Sequence, residues 1–352
     1  MKKVRLLILV IAVLVVAFVS DYCFTDVAQA ESKINLVWAD LSSPKHDKHT
    51  QFRYFIKRIH EETNNRVAIK MYPSEQLVKA IQEYDAIMRG TVDIVGLPVF
   101  YFAGKLPTLQ WLFEMGFWEL GDSAVIGSRM SKEIDAVFAK DGVKYLGWGV
   151  IMAPLCLAGP NLFKTFDDIK GMKVRAPGIV VRTMSKWGCA GVAVPHSEIY
   201  MGLQRGVVDA TYNAVPTMIS HRIWEVSKAI TFNRSGGALF PTIMNKKKWD
   251  SLPDDIKAAF ERVGREMVPW TYYHIREYTG QAEELLHSKF EQAHKLTPEE
   301  NELWMGTQRG YLVNPMLEKY GDETKKVWEK VLSVVEESKK ARRNGELPPF
   351  FE

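Results

Sequence analysis

The sequence predicts an α/β protein of two lobes bridged by one long helix. Three observations carry that reading. From Ile34 to Val99 the chain alternates strand, helix, strand, helix, strand, and single-helix crossovers between strands imply a parallel sheet covered by helices. The same grammar resumes between Tyr145 and Asn213. From Asp254 to about Lys295 the chain reads as helix, broken only by Gly264, Pro269 and Gly280. About 40 helical residues would span about 60 Å if straight, enough to brace two lobes rather than cap one.

In the first unit, "INLVWADL" (Ile34 to Leu41) is a strand. "HTQFRYFIKRIHEETN" follows as a helix with Phe52, Phe55, Ile56 and Ile59 on one face. "RVAIKMYP" alternates as a second strand, "QLVKAIQEYDAIMRG" is a helix stopped by Gly90, and "VDIVGLPV" is a third strand. In the second unit, "YLGWGVIM", "MKVRAP", "VAVP" and "VVDATYN" read as strands, with helices at "VVRTMSKWG" and "SEIYMGLQRG". Thr165 is a plausible cap for the turn holding Asp167 and Asp168. "LFPTIMN" is strand-like and leads into a short helix near Lys246. Pro269 should kink the long helix. The tail from Pro298 to about Arg342 is helical, interrupted at "RGYLVNP".

The chain has 352 residues, 47% hydrophobic and 25% charged, which is a globular balance rather than a disordered one. Its net charge of +4 is spread widely. The one basic tract, "KKARR" at Lys339 to Arg343, reads as a solvated helix end, so nucleic acid is not an expected partner. "MKKVR", the apolar run Leu6 to Val19 and "AQA" at Ala28 to Ala30 read as a signal peptide over residues 1–30. An uncleaved N-terminal anchor is the competing reading. The expected location is the periplasm. Cys156 and Cys189 sit in apolar settings and are expected as buried free thiols. With no histidine pair beside them they do not make a metal site, and no cofactor is expected.

One stretch occurs twice: "AIMRGTVDI" at Ala86 to Ile94 and "GLQRGVVDA" at Gly202 to Ala210. In each, a helix ends on Arg-Gly and feeds a strand whose third residue is Asp. Glycine lets the chain leave the helix through a left-handed conformation. Asp93 and Asp209 are read as local structural groups, and the echo as matching corners of two lobes. A ligand between such lobes would sit near strand ends. Aromatic Phe100, Tyr101 and Trp111 follow the first echo, and Tyr212 and Asn213 the second. Arg175 lies in a strand otherwise made of Met172, Val174 and Ala176, with Lys173 on the alternate face. Its guanidinium needs an anion, either an internal Asp or Glu or a ligand carboxylate.

The strings "MYPSEQLVKAIQEYDAIMRGTVDI", "FDDIKGMKVRAPG…GVAVPHSEIYMGLQRGVVDATYNAVP" and "IMNKKKWDSLPDDIKAAF" resemble, in that order, the extracytoplasmic solute-binding proteins of TRAP transporters. The resemblance runs from about Ile34 to the last helices. It implies two α/β lobes joined by strands and by a long helix crossing both. It also implies closure around a small organic acid and delivery to TRAP membrane permease subunits. The family's carboxylate-binding arginine falls on Arg175 and its asparagine on Asn213. The pocket position before "SE-x-Y" is His196. Residues 31–155 plus about 237–268 would form the first lobe, and 156–236 plus about 269–352 the second, with the C-terminal helices. Pairing into a homodimer through the last helices is left open.

Two departures bear on the ligand. Many relatives carry a second arginine ahead of the "DDIKG" element, where this chain has "WGVIMAPLCLAGP" from Trp148 onward. Tyr212 stands where a glutamate is frequent. With Phe100, Tyr101, Trp111 and Trp148, these point to an acid with one carboxylate and an apolar or ring-bearing body, such as a 2-oxo acid or an aromatic acid. No Gly-x-Ser-x-Gly or Gly-x-Gly-x-x-Gly motif supports a hydrolase or a dinucleotide enzyme, so the expected function is binding, with a sensor role as the alternative.

Overall fold

The structure is a computed structural model that describes residues 33–102, 104–109, 120–176, 180–236 and 238–350. The signal segment expected over residues 1–30 and Trp111 lie outside the described residues. Among the described residues no helix is long and apolar enough to cross a membrane.

The first lobe is built on β1 (Ile34–Ala39), α1 (Lys48–Glu62), β2 (Val67–Tyr72), α2 (Glu83–Arg89) and β3 (Ile94–Gly96). It continues through α3 (Leu120–Arg129), α4 (Ser131–Ala139) and β4 (Val143–Ile151). The second lobe follows with β5 (Pro154–Gly159), β6 (Lys173–Arg175), α5 (Val180–Met184), β7 (Ala190–Val192), α6 (Ile199–Gln204), β8 (Ala210–Ala214), α7 (Val215–Ser220) and β9 (Ala229–Gly236). The chain then returns through β10 (Leu239–Asn245), α8 (Lys246–Asp250), α9 (Asp254–Lys289), β11 (Gln292–Lys295) and α10 (Pro298–Arg343).

Two sheets result, one ordered β2-β1-β3-β10-β4 and the other β11-β9-β5-β8-β6-β7. The crossover strands pair in parallel as expected, β1 with β2 and β3, and β6 with β7 and β8. Each sheet is nevertheless mixed. β10 runs antiparallel to β3 and β4, and β5 runs antiparallel to β8 and β9. The reason is that, among the described residues, the chain leaves the first lobe as strand at β4–β5 and returns to it as strand at β9–β10. The two passages meet where Met152 N donates to Ala238 O at 3.0 Å and Pro154 pairs Gly236. This two-stranded crossing is the hinge.

The 36-residue α9, about 54 Å long, forms a further link. Its first half packs on β4 and α1 and its last turns reach β9 and β11. Pro269 sits inside it without ending it. β11 occupies the stretch that sequence periodicity assigned to the end of this helix. In α10 the backbone stays helical through Arg309 to Pro315, and the break falls instead at Gly321 (φ 72°, ψ −161°), a conformation open essentially to glycine alone. Trp304, near the start of α10, packs edge-on against Trp187 of the second lobe, ring centroids 4.8 Å apart. The distal half lies on the first lobe, against α3. There Arg342 Nη1 meets the buried Asp122 at 2.6 Å, Lys330 pairs with Glu133 and Arg129 pairs with Glu337. This corrects the assignment of the whole C-terminal region to the second lobe. Helical pattern shows that a face is apolar, not which surface it covers.

The two echoed corners are alike in detail. Gly90 and Gly206 both take left-handed φ, 73° and 68°. Asp93 accepts from Val37 N at 2.8 Å and returns its own N–H to Val37 O; Asp209 does the same with Lys173, at 2.7 Å. Each Asp therefore ties a helix-to-strand corner to the neighbouring parallel strand.

Candidate functional site

The ends of β1, β6 and β8 and the hinge converge on an interlobe cavity of about 20 Å³. The first lobe contributes Leu41, Ser42, His46, Lys48, Phe100 and Tyr101. The second contributes Arg175, His196, Asn213 and Thr217, and Met152 and Phe240 close the hinge side. This is the strand-end crevice where α/β folds bind ligands.

Arg175 is wholly buried at the end of β6. Its Nε donates to Val194 O at 3.1 Å. Nη1 and Nη2 have no hydrogen-bond partner among the described residues. Burial pulls its pKa down, opposed by the neighbouring Tyr101 phenol, yet a guanidinium stays protonated. It is therefore a desolvated cation with both terminal nitrogens unpartnered, an arrangement that is costly until an anion arrives.

Asn213, on β8, complements it. Its Oδ1 accepts from Ala214 N at 2.9 Å and from Thr217 Oγ1 at 3.2 Å, which fixes the orientation of the amide. Its Nδ2 has no partner among the described residues. The two cavity-lining side chains thus leave three nitrogen sites free, all donors, which suits a carboxylate.

The remaining polar groups are mostly neutral. His46 Nδ1 accepts from Lys48 N at 3.1 Å, so that nitrogen carries no proton. Burial, reinforced by Lys48, pushes His46 down to about 3. Burial, then His221 and Arg175, holds His196 well below the usual histidine range. The His196 and His221 rings meet edge-on at 4.6 Å, and burial lowers His221 as well. Glu83, buried below this region with neither oxygen bonded, is pushed well up by burial and then by Asp40. Lys48, also buried, is paired: Nζ lies 2.7 Å from Asp40 Oδ1. Burial opposes ionisation of Asp40, but Lys48 and His49 outweigh it and hold the carboxyl far below its usual range.

Of the residues singled out by sequence, Arg175, Asn213, His196, Phe100 and Tyr101 meet at this cavity. Tyr212 and Trp148 do not. Successive residues of a strand face opposite ways, so Asn213 in the cleft sends Tyr212 into the second-lobe core, edge-on to Trp187 at 5.4 Å. There Tyr212 Oη accepts from Asn233 at 3.3 Å. Trp148 packs into the first-lobe core against Phe55, centroids 4.8 Å apart. Sequence reasoning missed Asp40, His46 and Lys48. The signal was present in "ADLSSPKHDKHT", charged residues directly after the first strand, where ligands of α/β folds sit. The turn at Asp168 is the reverse of the expected cap: Asp168 accepts from Lys164 N and from Thr165 N and Oγ1. Cys156 and Cys189 are buried and unpaired, as expected.

Two α/β lobes, a two-strand hinge and a long bracing helix define a two-lobed solute-binding protein fold. Residues 38–315 match the family described as bacterial extracellular solute-binding protein, family 7, and the chain belongs to that family. It is 27% identical over 221 residues to a solute-binding protein of Albidiferax ferrireducens, covering 61% of this chain and 65% of that protein. The chain thus spans just under two thirds of that relative's length. It is also 27% identical to the C4-dicarboxylate-binding periplasmic protein of Rhodobacter capsulatus, covering 69% and 74% of the two chains. Identity is again 27% to a monocarboxylate 2-oxoacid-binding periplasmic protein of Nostoc, covering 58% of each chain. The fold matches an extracytoplasmic solute receptor of Bordetella pertussis that binds pyroglutamic acid, with a TM-score of 0.76 at 17% identity, over 84% of this chain and 99% of that one. It matches a TRAP periplasmic solute-binding protein of Desulfovibrio salexigens with bound orotic acid at 0.74 and 21% identity, over 86% and 100%.

Proposed function

We propose that this protein is the extracytoplasmic solute-binding subunit of a TRAP transporter. It captures a small organic acid between its lobes and presents it to the membrane permease. The observation that carries this reading is the set of unspent donors on the buried Arg175 and Asn213. Family membership supports capture rather than turnover, and the acids bound by similar proteins support the ligand class.

The enclosed space of about 20 Å³ holds about one water. An organic acid therefore enters only when the lobes separate about the hinge. Its carboxylate meets Arg175 and Asn213 first, on the second lobe. Closure then covers the rest of the molecule with Phe100, Tyr101 and Phe240 and shifts the population to the closed form. A thermal-shift screen of 2-oxo acids, pyroglutamate, aromatic acids and dicarboxylates tests this, followed by calorimetry on the wild type and Arg175→Ala. At least one acid should stabilise the wild type and lose binding in the variant. Unchanged affinity in Arg175→Ala would overturn the assignment.

A further inference from the structure

Resting on that reading, we infer that this cleft selects a monoanion bearing a second, uncharged acceptor oxygen, and that Asp40 sets the selectivity by neutralising Lys48. The two buried cations at the cavity are placed differently. Arg175 on the second lobe has no counter-anion among the described residues; its contacts are the Val194 carbonyl and the Tyr101 phenol. Lys48 on the first lobe already has one, Asp40 at 2.7 Å. Asp40 is in turn held in place: Oδ2 accepts from Ser42 N at 2.9 Å and faces His49 Nε2 at 3.0 Å. His49 Nε2 also faces Ser42 O at 3.0 Å, so with two acceptors before it this nitrogen is a donor.

The charge balance follows from this geometry. The groups lining the cavity, with their direct partners, carry Arg175, Lys48 and Asp40, which leaves one positive charge unmatched. Glu75 and Lys79, neither of which lines the cavity, pair with each other at 3.5 Å. One ligand carboxylate completes the balance at Arg175. A second would enter beside the Asp40 carboxylate in a site with little water to screen it, where like charges repel strongly. Lys48 still has donor capacity. Its Nζ lies 5.4 Å from the Phe52 centroid and 5.2 Å from that of Phe240, so aromatic faces rather than acceptors fill the rest of its surroundings. A 2-oxo, 2-hydroxy or amide oxygen of the ligand can take a hydrogen bond there without bringing charge.

The test compares matched acids on the purified chain by calorimetry: lactate with malate, 2-oxobutyrate with 2-oxoglutarate, and 2-oxobutyrate with butyrate. The wild type should favour the monocarboxylate of each of the first two pairs, and 2-oxobutyrate over butyrate, by at least tenfold. Asp40→Asn keeps the shape and adds one unmatched positive charge, so the preference should move at least tenfold toward the dicarboxylates. The double variant Asp40→Asn with Lys48→Gln restores a single unmatched charge and should return the preference to monocarboxylates. Equal or tighter binding of the dicarboxylates by the wild type overturns the inference and leaves the transport reading standing. Binding of none of these acids, nor of any acid in the wider screen, removes both. The wild-type comparison decides the question even if a variant fails to fold.

Discussion

His46 and His196 face each other across the interlobe cleft, ring centroids 6.3 Å apart, one ring from each lobe. Two cations flank them, Lys48 and Arg175, and the Asp40 carboxylate acts on His46. Both rings are neutral in the closed protein because burial and these neighbours depress their pKa. In an opened or unfolded chain they take up protons from about pH 6.5 downward. The closed form therefore keeps its full stability above about pH 6.5 and loses it as the pH falls, for His46 until about 3. Asp40, also depressed, adds a loss only below about pH 4. Glu83, raised, acts the other way, with its contribution present below about pH 4.5 and lost above it. At pH 5 the His46 share is about 2 kcal/mol. Urea unfolding at pH 7.5 and pH 5.0 checks this. The wild type should lose stability at the lower pH, and His46→Asn, which keeps an acceptor for Lys48 N, should lose about 2 kcal/mol less. Equal losses would remove His46 from the account.

Arg175 places binding and stability in opposition. Its buried terminal nitrogens are unpartnered, and leaving such groups desolvated costs about 1–3 kcal/mol or more when charged. Arg175→Met fills the same space without charge. The ligand-free variant should be more stable than the wild type by about 1–3 kcal/mol, and acids that raise the wild-type melting temperature should leave the variant unmoved. Thermal melts with and without the acids measure both. A less stable variant would mean that Arg175 is satisfied within the protein.

Asp93 and Asp209 hold equivalent positions in the two corners, each accepting from the backbone of the adjacent strand. Asp93→Ala and Asp209→Ala should each cost about 1–3 kcal/mol, because each strips a charged acceptor from a strand N–H. Neither should change acid affinity, since neither residue lines the cavity. Denaturant titration with calorimetry on the two variants separates these effects, and a loss of affinity without a loss of stability would contradict the structural role.

The strands, the helices and the two-lobed plan were legible because they rest on local signals: period, glycine stops and the echo. What local signals cannot carry is which face of a residue looks where. Tyr212 and Asn213 are neighbours in sequence, yet one lines the core and the other the cleft. The ion pair of Asp40 and Lys48 was hidden for a related reason. Lys48 opens α1, where a lysine ordinarily reads as solvated, and here Asp40 and the rings of Phe52 and of Phe240, the last distant in sequence, enclose it. The distal half of α10 packs on the first lobe through contacts more than 190 positions apart in the chain, beyond the reach of periodicity.

Gly264 and Gly280, in the same long helix, separate helix propensity from packing. A Cβ at Gly264 would stand 2.5 Å from Leu146 O, whereas one at Gly280 would meet nothing within 4 Å. The backbone that Gly264 approaches is irregular. β4 carries Leu146 to Trp148 opposite the single residue Thr242 of β10, and Gly147 takes φ 78°. The helix therefore rests on a bulge that leaves no room for a methyl group. Propensity alone favours alanine by about 0.8–1 kcal/mol at either site. Gly280→Ala should accordingly stabilise by up to that amount. Gly264→Ala should destabilise by about 1–3 kcal/mol, the usual penalty of overpacking, because backbone rather than a flexible side chain would have to yield. Urea unfolding of the two variants decides it. Stabilisation by both would show that α9 sits on β4 more loosely than the 2.5 Å approach requires, and that it braces the lobes less rigidly than its length suggests.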